Sequence, residues 1–293
     1  LPGCVAEPLW LRGRVLGLLL CIGTPVLPLA DIAKQGAAAL ELANDYTDSI
    51  EAARRRKPTT PAAEVQQNLF PPRVARITGA QLAGGLLPTY QVGGDWFDFV
   101  ENRDGAWLAI ADAAGKGATA AGLGAAALGA LRAARRSGRD LVEALELMDE
   151  TVRGLGNPDF FVTALVARWR ASTSEFTWVN CGHPHAYLAA PDGSLRRLEG
   201  PVHEPLGAPE RHESFEPTTR RLTSGERLVL VTDGITERRT EGGVFGEDGI
   251  RDTLEKLGTP TAAASAMAIL QAVNDCWREP LEDDGTVVVL CVD

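Results

Sequence analysis

The sequence is poor in the features on which stapled folds, thiolate metal sites and membrane anchors depend. Its cysteines, Cys4, Cys21, Cys181, Cys276 and Cys291, number 5 and stand far apart with no CxxC pair and no zinc-like cluster. That excludes a disulfide framework and fits buried thiols in a reducing, cytoplasmic protein. Cations are in deficit, with Lys+Arg 29 against Asp+Glu 39 and a net charge of -10, which argues against a nucleic-acid partner because phosphate binding needs clustered positive charge. Long apolar runs are missing too. Residues 15–30, VLGLLLCIGTPVLPLA, follow Arg12 and Arg14 as a signal-peptide core would, but Gly23, Pro25 and Pro28 interrupt them. The run falls short of the roughly 20 residues a spanning helix needs, so it reads as a buried strand and a loop, and no membrane partner is expected. What remains is ordinary globular composition, 45% hydrophobic and 23% charged over 293 residues, enough for one large domain or for one domain with an appendage. The first residue is Leu1 rather than Met, as in a fragment of something larger.

Local patterning divides the chain in three. Residues 8–21, PLWLRGRVLGLLLC, read as two strands around a tight turn at Arg12-Gly13-Arg14. A helix follows from Asp31, its N-cap, to about Arg56, with Ala33, Ala37, Leu40, Ala43 and Ile50 at helical spacing. The hairpin is too small to cover that stripe, so a partner helix from a second copy is expected. The KPTTP segment breaks the helix, and Thr60-Pro61 opens a shorter one carrying Glu64, Gln67 and Leu69. Beyond Arg73, strands are expected at 75–78, 96–100, 106–111, 161–169, 175–180, 186–190, 227–232 and 286–292, and helices at 118–136, 140–155, 247–257 and 262–277. Strands come mostly in runs, which favours an α+β arrangement of antiparallel sheets with helices on their outer faces.

Four acidic positions share one setting, beside glycine or at the end of an apolar strand: Asp95 in VGGDWFDF, Asp112 in WLAIADAAGKG, Asp233 in LVLVTDGITE, and the Asp283-Asp284 pair in EDDGTVVVL. Alone, each would be read as a turn cap. Together they need a cation, since two unit charges ~4 Å apart repel by about 4 kcal/mol at an effective dielectric near 20. All-oxygen ligation suits magnesium or manganese better than zinc.

These motifs, with VQQNLFPP, NCGHPHAYL and FGEDGI in the same order, resemble the PPM-type metal-dependent serine/threonine protein phosphatases, in particular their SpoIIE/RsbU-type branch, over about residues 64–292. The resemblance implies an αββα sandwich of two antiparallel sheets flanked by helices, with two Mn2+ or Mg2+ ions where the strand ends meet. Asp112 matches the bridging carboxylate, and Ala113 the position whose backbone carbonyl contributes. Asp95, Asp233 and Asp283 match the other ligand positions, with Asp98, Gly94 and Asp284 as weaker neighbours. The chemistry implied is hydrolysis of a phosphoserine or phosphothreonine protein, such as an anti-sigma-factor antagonist, by metal-activated water with no protein nucleophile; Asp112, Asp95 and Asp233 act through that water. No cysteine is followed by Arg at the sixth position and no GxSxG occurs, which agrees. His183 and His185, in GHPH, match a structural turn, and no general acid is identifiable. Many relatives carry DG or DV where this chain has Asp112-Ala113, and a bulkier residue where it has Gly285. The first residues resemble the last strands and helix of a GAF sensor domain. The expected division is 1–30 sensor remnant, 31–62 linker helix through which homodimers form, and 63–293 phosphatase; in the family an activating movement is thought to reach the site at the short helix near Gln67.

Two rivals stay open. Gly115-Lys116-Gly117 with Ala120 approximates a dinucleotide fingerprint after a strand, which would make this a nucleotide-binding protein. Alternatively, the fold binds a phosphoprotein without hydrolysing it, as a pseudophosphatase.

Overall fold

A computed structural model describes residues 3–11, 14–25, 27–44, 60–89, 93–209, 214–258, 261–277, 279 and 281–293. The chain divides into two units, residues 1–60 with 72–76, and residues 61–71 with 77–293.

In the smaller unit, β1 (Cys4–Leu11) pairs antiparallel with β2 (Arg14–Ile22), with a register break between Pro8 and Trp10. Helix α1 (Leu29–Asn44) lies on this hairpin, where Ala33 and Ala37 bury against Leu9 and are flanked by Leu11, Leu16, Leu19 and Leu40. The hairpin therefore does cover part of the helical stripe, because alanines let helix and strands approach closely. The expected continuation to about Arg56 lies outside the described residues.

The larger unit opens with α2 (Pro61–Leu69). Its first sheet runs in the order β4 (Ala80–Leu87), β16 (Gly285–Val292), β13 (Arg227–Val231), β9 (Tyr187–Ala189), β10 (Leu195–Arg197), every neighbour antiparallel. In the second, β5 (Trp96–Asn102), β6 (Gly105–Ala113), β7 (Val162–Arg170) and β8 (Glu175–Cys181) are antiparallel in sequence order. At its far edge β8 meets β11 (Val202–His203) in parallel and β12 (Thr218–Arg221) antiparallel. That two-residue pair and an isolated parallel bridge between Ala164 and Gly182 depart from the expected antiparallel sheets. A small hairpin joins β14 (Arg239–Thr240) and β15 (Gly243–Val244).

The sheets pack face to face, and β4 shows how. A Cβ on Gly84 would stand 2.4 Å from the Phe97 ring of β5, and one on Gly85 2.5 Å from Leu270 of α6 (Ala262–Asp275). The glycine pair thus receives the opposite sheet on one face and a helix on the other. Strand β4 was missed in the sequence because its Gly-Gly reads as a break; the backbone is extended there because side chains from elsewhere fill the space. With both faces covered, Val287–Leu290 of β16 are uninterruptedly apolar and buried.

Helices α3 (Ala118–Arg136) and α4 (Leu141–Gly154) cover the outer face of the second sheet through Leu123, Leu128, Leu131, Leu145 and Met148. At Gly124 of α3 proximity requires glycine, since a Cβ there would lie 2.9 Å from Trp96, whereas Gly122 and Gly129 of the same helix face open space. Asp140 and Glu143 form a reciprocal capping box at the start of α4. Strand β6 leads into α3 but is flanked by antiparallel β5 and β7, so no parallel βαβ unit exists at Gly115-Lys116-Gly117 and the dinucleotide-binding reading fails.

Candidate active site

Antiparallel pairing sets the start of one strand beside the end of its neighbour, and the four acids occupy such junctions. Asp95 immediately precedes β5 and Asp112 closes β6, whose end is held to the turn before β5 by a hydrogen bond from Ala113 N to the Gly94 carbonyl at 3.2 Å. On the other sheet, Asp233 opens the short helix α5 (Asp233–Thr236) just after β13, and Asp283-Asp284 lead into β16. Thr232 N donates to the Thr286 carbonyl at 3.1 Å, tying these two ends together. Both sheets therefore deliver carboxylates to the same edge of the sandwich.

Their electrostatics record the proximity. Burial, then the Asp233 and Asp283 carboxylates, push the Asp112 carboxyl up to about 7. Asp233 is raised by burial and by Asp283. Asp95 is raised well above the usual carboxylate range by burial and then by Asp112, although hydrogen bonds from Thr286 Oγ1 (2.6 Å) and Thr232 Oγ1 (2.8 Å) to its Oδ2 act in the opposite sense. Asp95, Asp112, Asp233 and Asp283 thus form one chain of mutually repelling acids. Among the described residues, no three acidic, histidine or cysteine side chains converge tightly enough to enclose one ion; Asp233 and Asp283 line a cleft of about 260 Å³ with Lys116, Glu237, Arg239, Trp277 and Glu282, whereas Asp95 and Asp112 lie outside its lining.

Backbone proximity is secured by glycine. A Cβ on Gly94 would lie 1.9 Å from the Ala113 carbonyl oxygen, and one on Gly234 2.0 Å from that of Asp284. The Ala113 carbonyl, expected to help hold a cation, therefore sits directly against the segment that delivers Asp95.

The weaker candidates have other occupations. Asp98 is buried and accepts from Arg132 at 2.9 Å and Arg135 at 2.8 Å, tying β5 to α3. Asp284 accepts from Thr89 N (2.7 Å), Thr89 Oγ1 (2.9 Å), Gly93 N (3.0 Å) and Gln66 Nε2 (2.9 Å). Four donors fill the lone-pair sites of one carboxylate, so Asp284 ties down Thr89 and Gly93 ahead of Asp95. His183 is buried with Nδ1 3.0 Å from Thr163 Oγ1, and burial pushes it down to about 3. Its backbone exchanges two 2.8 Å hydrogen bonds with the Asn180 side chain. His185 Nδ1 lies 3.3 Å from the Leu198 carbonyl. Both belong to the turn after β8.

Sequence reasoning missed Gln66. It pointed to Gln67, which is exposed, whereas Gln66 is buried and its Nε2 reaches both Asp284 Oδ2 and, at 3.0 Å, the Asp95 carbonyl. Only helical phase distinguishes the two glutamines. Thr232 and Thr286 were missed as well, since a threonine at a strand end carries no signal of its own.

A two-sheet αββα sandwich with carboxylates gathered at one edge defines a phosphatase domain of the PPM class, whose members are metal-dependent hydrolases of phosphoserine and phosphothreonine. Comparison with known proteins places it more closely. The family model for stage II sporulation protein E (SpoIIE) matches residues 102–293, and the chain belongs to that family. It is 28% identical over 236 residues to the phosphoserine phosphatase RsbU of Bacillus subtilis (strain 168), covering 78% of this chain and 68% of that protein. Its fold is similar to the crystal structure of the RsbU and RsbW domains of a Mycobacterium tuberculosis protein (TM-score 0.64, 24% identity, 74% of this chain, 60% of that one). It also resembles that of RsbX in complex with magnesium (TM-score 0.57, 18% identity, 75% of this chain, 98% of that one). The chain thus spans three-fifths of the mycobacterial chain it matches.

Proposed function

We propose that this chain removes the phosphoryl group from phosphoserine or phosphothreonine of a small phosphoprotein of the anti-sigma-factor-antagonist kind, with two divalent cations, Mn2+ or Mg2+, held by Asp95, Asp112, Asp233, Asp283 and the Ala113 carbonyl. One observation carries the reading: Asp112 is driven up to about 7 by burial and by Asp233 and Asp283, acids from the other sheet. The donor set is all oxygen, which fits a hard cation, and neutralising those carboxylates is what a hard cation does best. Bound cations supply charge neutralisation and an activated water to the reaction. The residues do the rest. Asp112 and Asp95 are set against each other by the Gly94–Ala113 contact, and Thr232 and Thr286 aim the Asp95 carboxylate. Asp284 and Gln66 hold the loop through Gly93, so the donors keep their positions as the phosphoryl group turns over.

The fold similarity to magnesium-bound RsbX and the likeness to a phosphoserine phosphatase support the metal and the substrate class. No helix among the described residues is long and apolar enough to cross a membrane, and the cysteine pattern supports a cytoplasmic setting. The hairpin and α1 are then the input end of a signalling enzyme, pairing two copies along the helix.

The test is hydrolysis of para-nitrophenyl phosphate and of a phosphoserine protein. We expect activity with Mn2+ that EDTA removes, that Asp112→Asn abolishes and that thiol alkylation leaves intact. A chain that binds the phosphoprotein with Mn2+ present yet never releases phosphate would instead be a pseudophosphatase.

A further inference from the structure

A cleft lined with carboxylates repels the phosphoryl dianion it has to admit, so any cation the chain itself places at the mouth bears on substrate binding. The Gly115-Lys116-Gly117 turn, left without a role once the nucleotide-binding reading fails, supplies one. Gly115 and Gly117 take φ +96° and +73°, a region L side chains rarely adopt, and a Cβ on either would meet nothing within 4 Å. They are therefore required by the path of the turn and not by packing. That path carries Lys116 from the end of β6 to the approach of β16, where its Nζ donates to the Glu282 carbonyl at 2.8 Å and stands 3.8 Å from Asp283 Oδ2.

Stability does not account for this placement. The lysine and Asp283 side chains are each 45% exposed, and a solvent-exposed pair at that separation contributes little. Of the other cations lining the cleft, Arg238 is spent on the carbonyls of Trp277 and Glu279 at 3.1 and 2.6 Å, and Arg239 forms a still more exposed pair with Glu282 at 3.3 Å. Lys116 has three donors and gives one to a carbonyl that fixes its reach.

We propose that Lys116 is a substrate-binding residue, whose ammonium, anchored on the Glu282 carbonyl, donates to a non-bridging oxygen of the substrate phosphoryl group. The inference rests on the phosphatase reading above. It differs from a bystander role in which Lys116 only offsets the charge of the acids. In that case its removal alters cation affinity and leaves phosphate recognition untouched.

The experiment compares the full chain with Lys116→Ala and Lys116→Arg in three measurements: kcat and KM on a phosphoserine peptide with saturating Mn2+, calorimetric affinity for Mn2+, and calorimetric affinity of the Mn2+-loaded protein for inorganic phosphate. Lys116→Ala is expected to raise KM and weaken phosphate binding by about 10-fold or more, the size of one charge-assisted hydrogen bond. Mn2+ affinity should be unchanged or tighter, and Lys116→Arg should restore most of the phosphate affinity. Unchanged KM and phosphate affinity in Lys116→Ala, or losses that follow weakened Mn2+ binding, overturn the proposal. Should the wild-type chain turn over no substrate, the phosphatase reading fails, and the phosphate titration still decides for or against Lys116.

Discussion

Gln66 and Asp284 stand 218 positions apart in the sequence and meet at 2.9 Å, the amide of α2 donating to the carboxylate that also holds Thr89 and Gly93. Through its second contact, to the Asp95 carbonyl at 3.0 Å, the same amide touches the backbone of a proposed cation ligand. Both acceptors are buried, and losing one hydrogen bond to a charged group costs about 1.5–3 kcal/mol. Gln66→Ala is therefore expected to lower kcat on para-nitrophenyl phosphate by about 10-fold or more and to raise the Mn2+ concentration needed for half-maximal activity, with the fold retained by circular dichroism. Wild-type metal dependence in that variant would dissociate α2 from the site.

Asp112 gives a pH signature in protein stripped of divalent cations. Its carboxyl is pushed up to about 7 by burial first and by Asp233 and Asp283 next, against about 3.9 in an unfolded chain. The folded state then binds the proton more tightly, so this contribution to stability is complete below about pH 4 and disappears as pH rises through about 7. The melting temperature of EDTA-treated protein should fall between about pH 5 and pH 8, and Asp112→Asn should flatten that slope and melt higher than wild type at about pH 8. Differential scanning fluorimetry across that range checks it; parallel slopes for the two proteins would contradict the assembly of acids.

Gly94 and Gly122 make a matched pair. An alanine Cβ at Gly94 would meet the Ala113 carbonyl at 1.9 Å, where backbone must move, whereas at exposed Gly122 on α3 it meets nothing within 4 Å. Gly94→Ala should abolish Mn2+ binding and lower the urea midpoint. Gly122→Ala should be neutral or stabilising by up to about 1 kcal/mol. Equal behaviour of the two would remove the Gly94–Ala113 contact as the device that brings Asp95 to Asp112.

Asp98 tests the division of labour among the acids. Buried between Arg132 and Arg135, it is a structural anchor, and its truncation strands buried positive charge. Asp98→Ala is expected to cost about 3–5 kcal/mol in urea unfolding while the folded fraction binds Mn2+ with wild-type affinity by calorimetry. Lost metal affinity in a protein of wild-type stability would make Asp98 a ligand after all.

The sequence alone determined what local patterning can carry. Helix α3 at 118–136, the capped start of α4 and the apolar strands ending at Asp112 and Asp233 follow from periodicity, caps and turn residues, because those interactions lie within a few positions of one another. Each acid could be picked out for the same reason, as a short polar side chain between an apolar run and a glycine. Only the tertiary structure decided which acids face one another and which are otherwise engaged, since Asp98 and Asp95 look alike in VGGDWFDF until arginines from α3 take one and the other sheet's threonines take the other. It also decided that β4 is a strand, that α1 finds cover on the hairpin, and that Gln66 rather than Gln67 faces inward. All of these depend on contacts between residues distant in sequence, whose energies no local window contains.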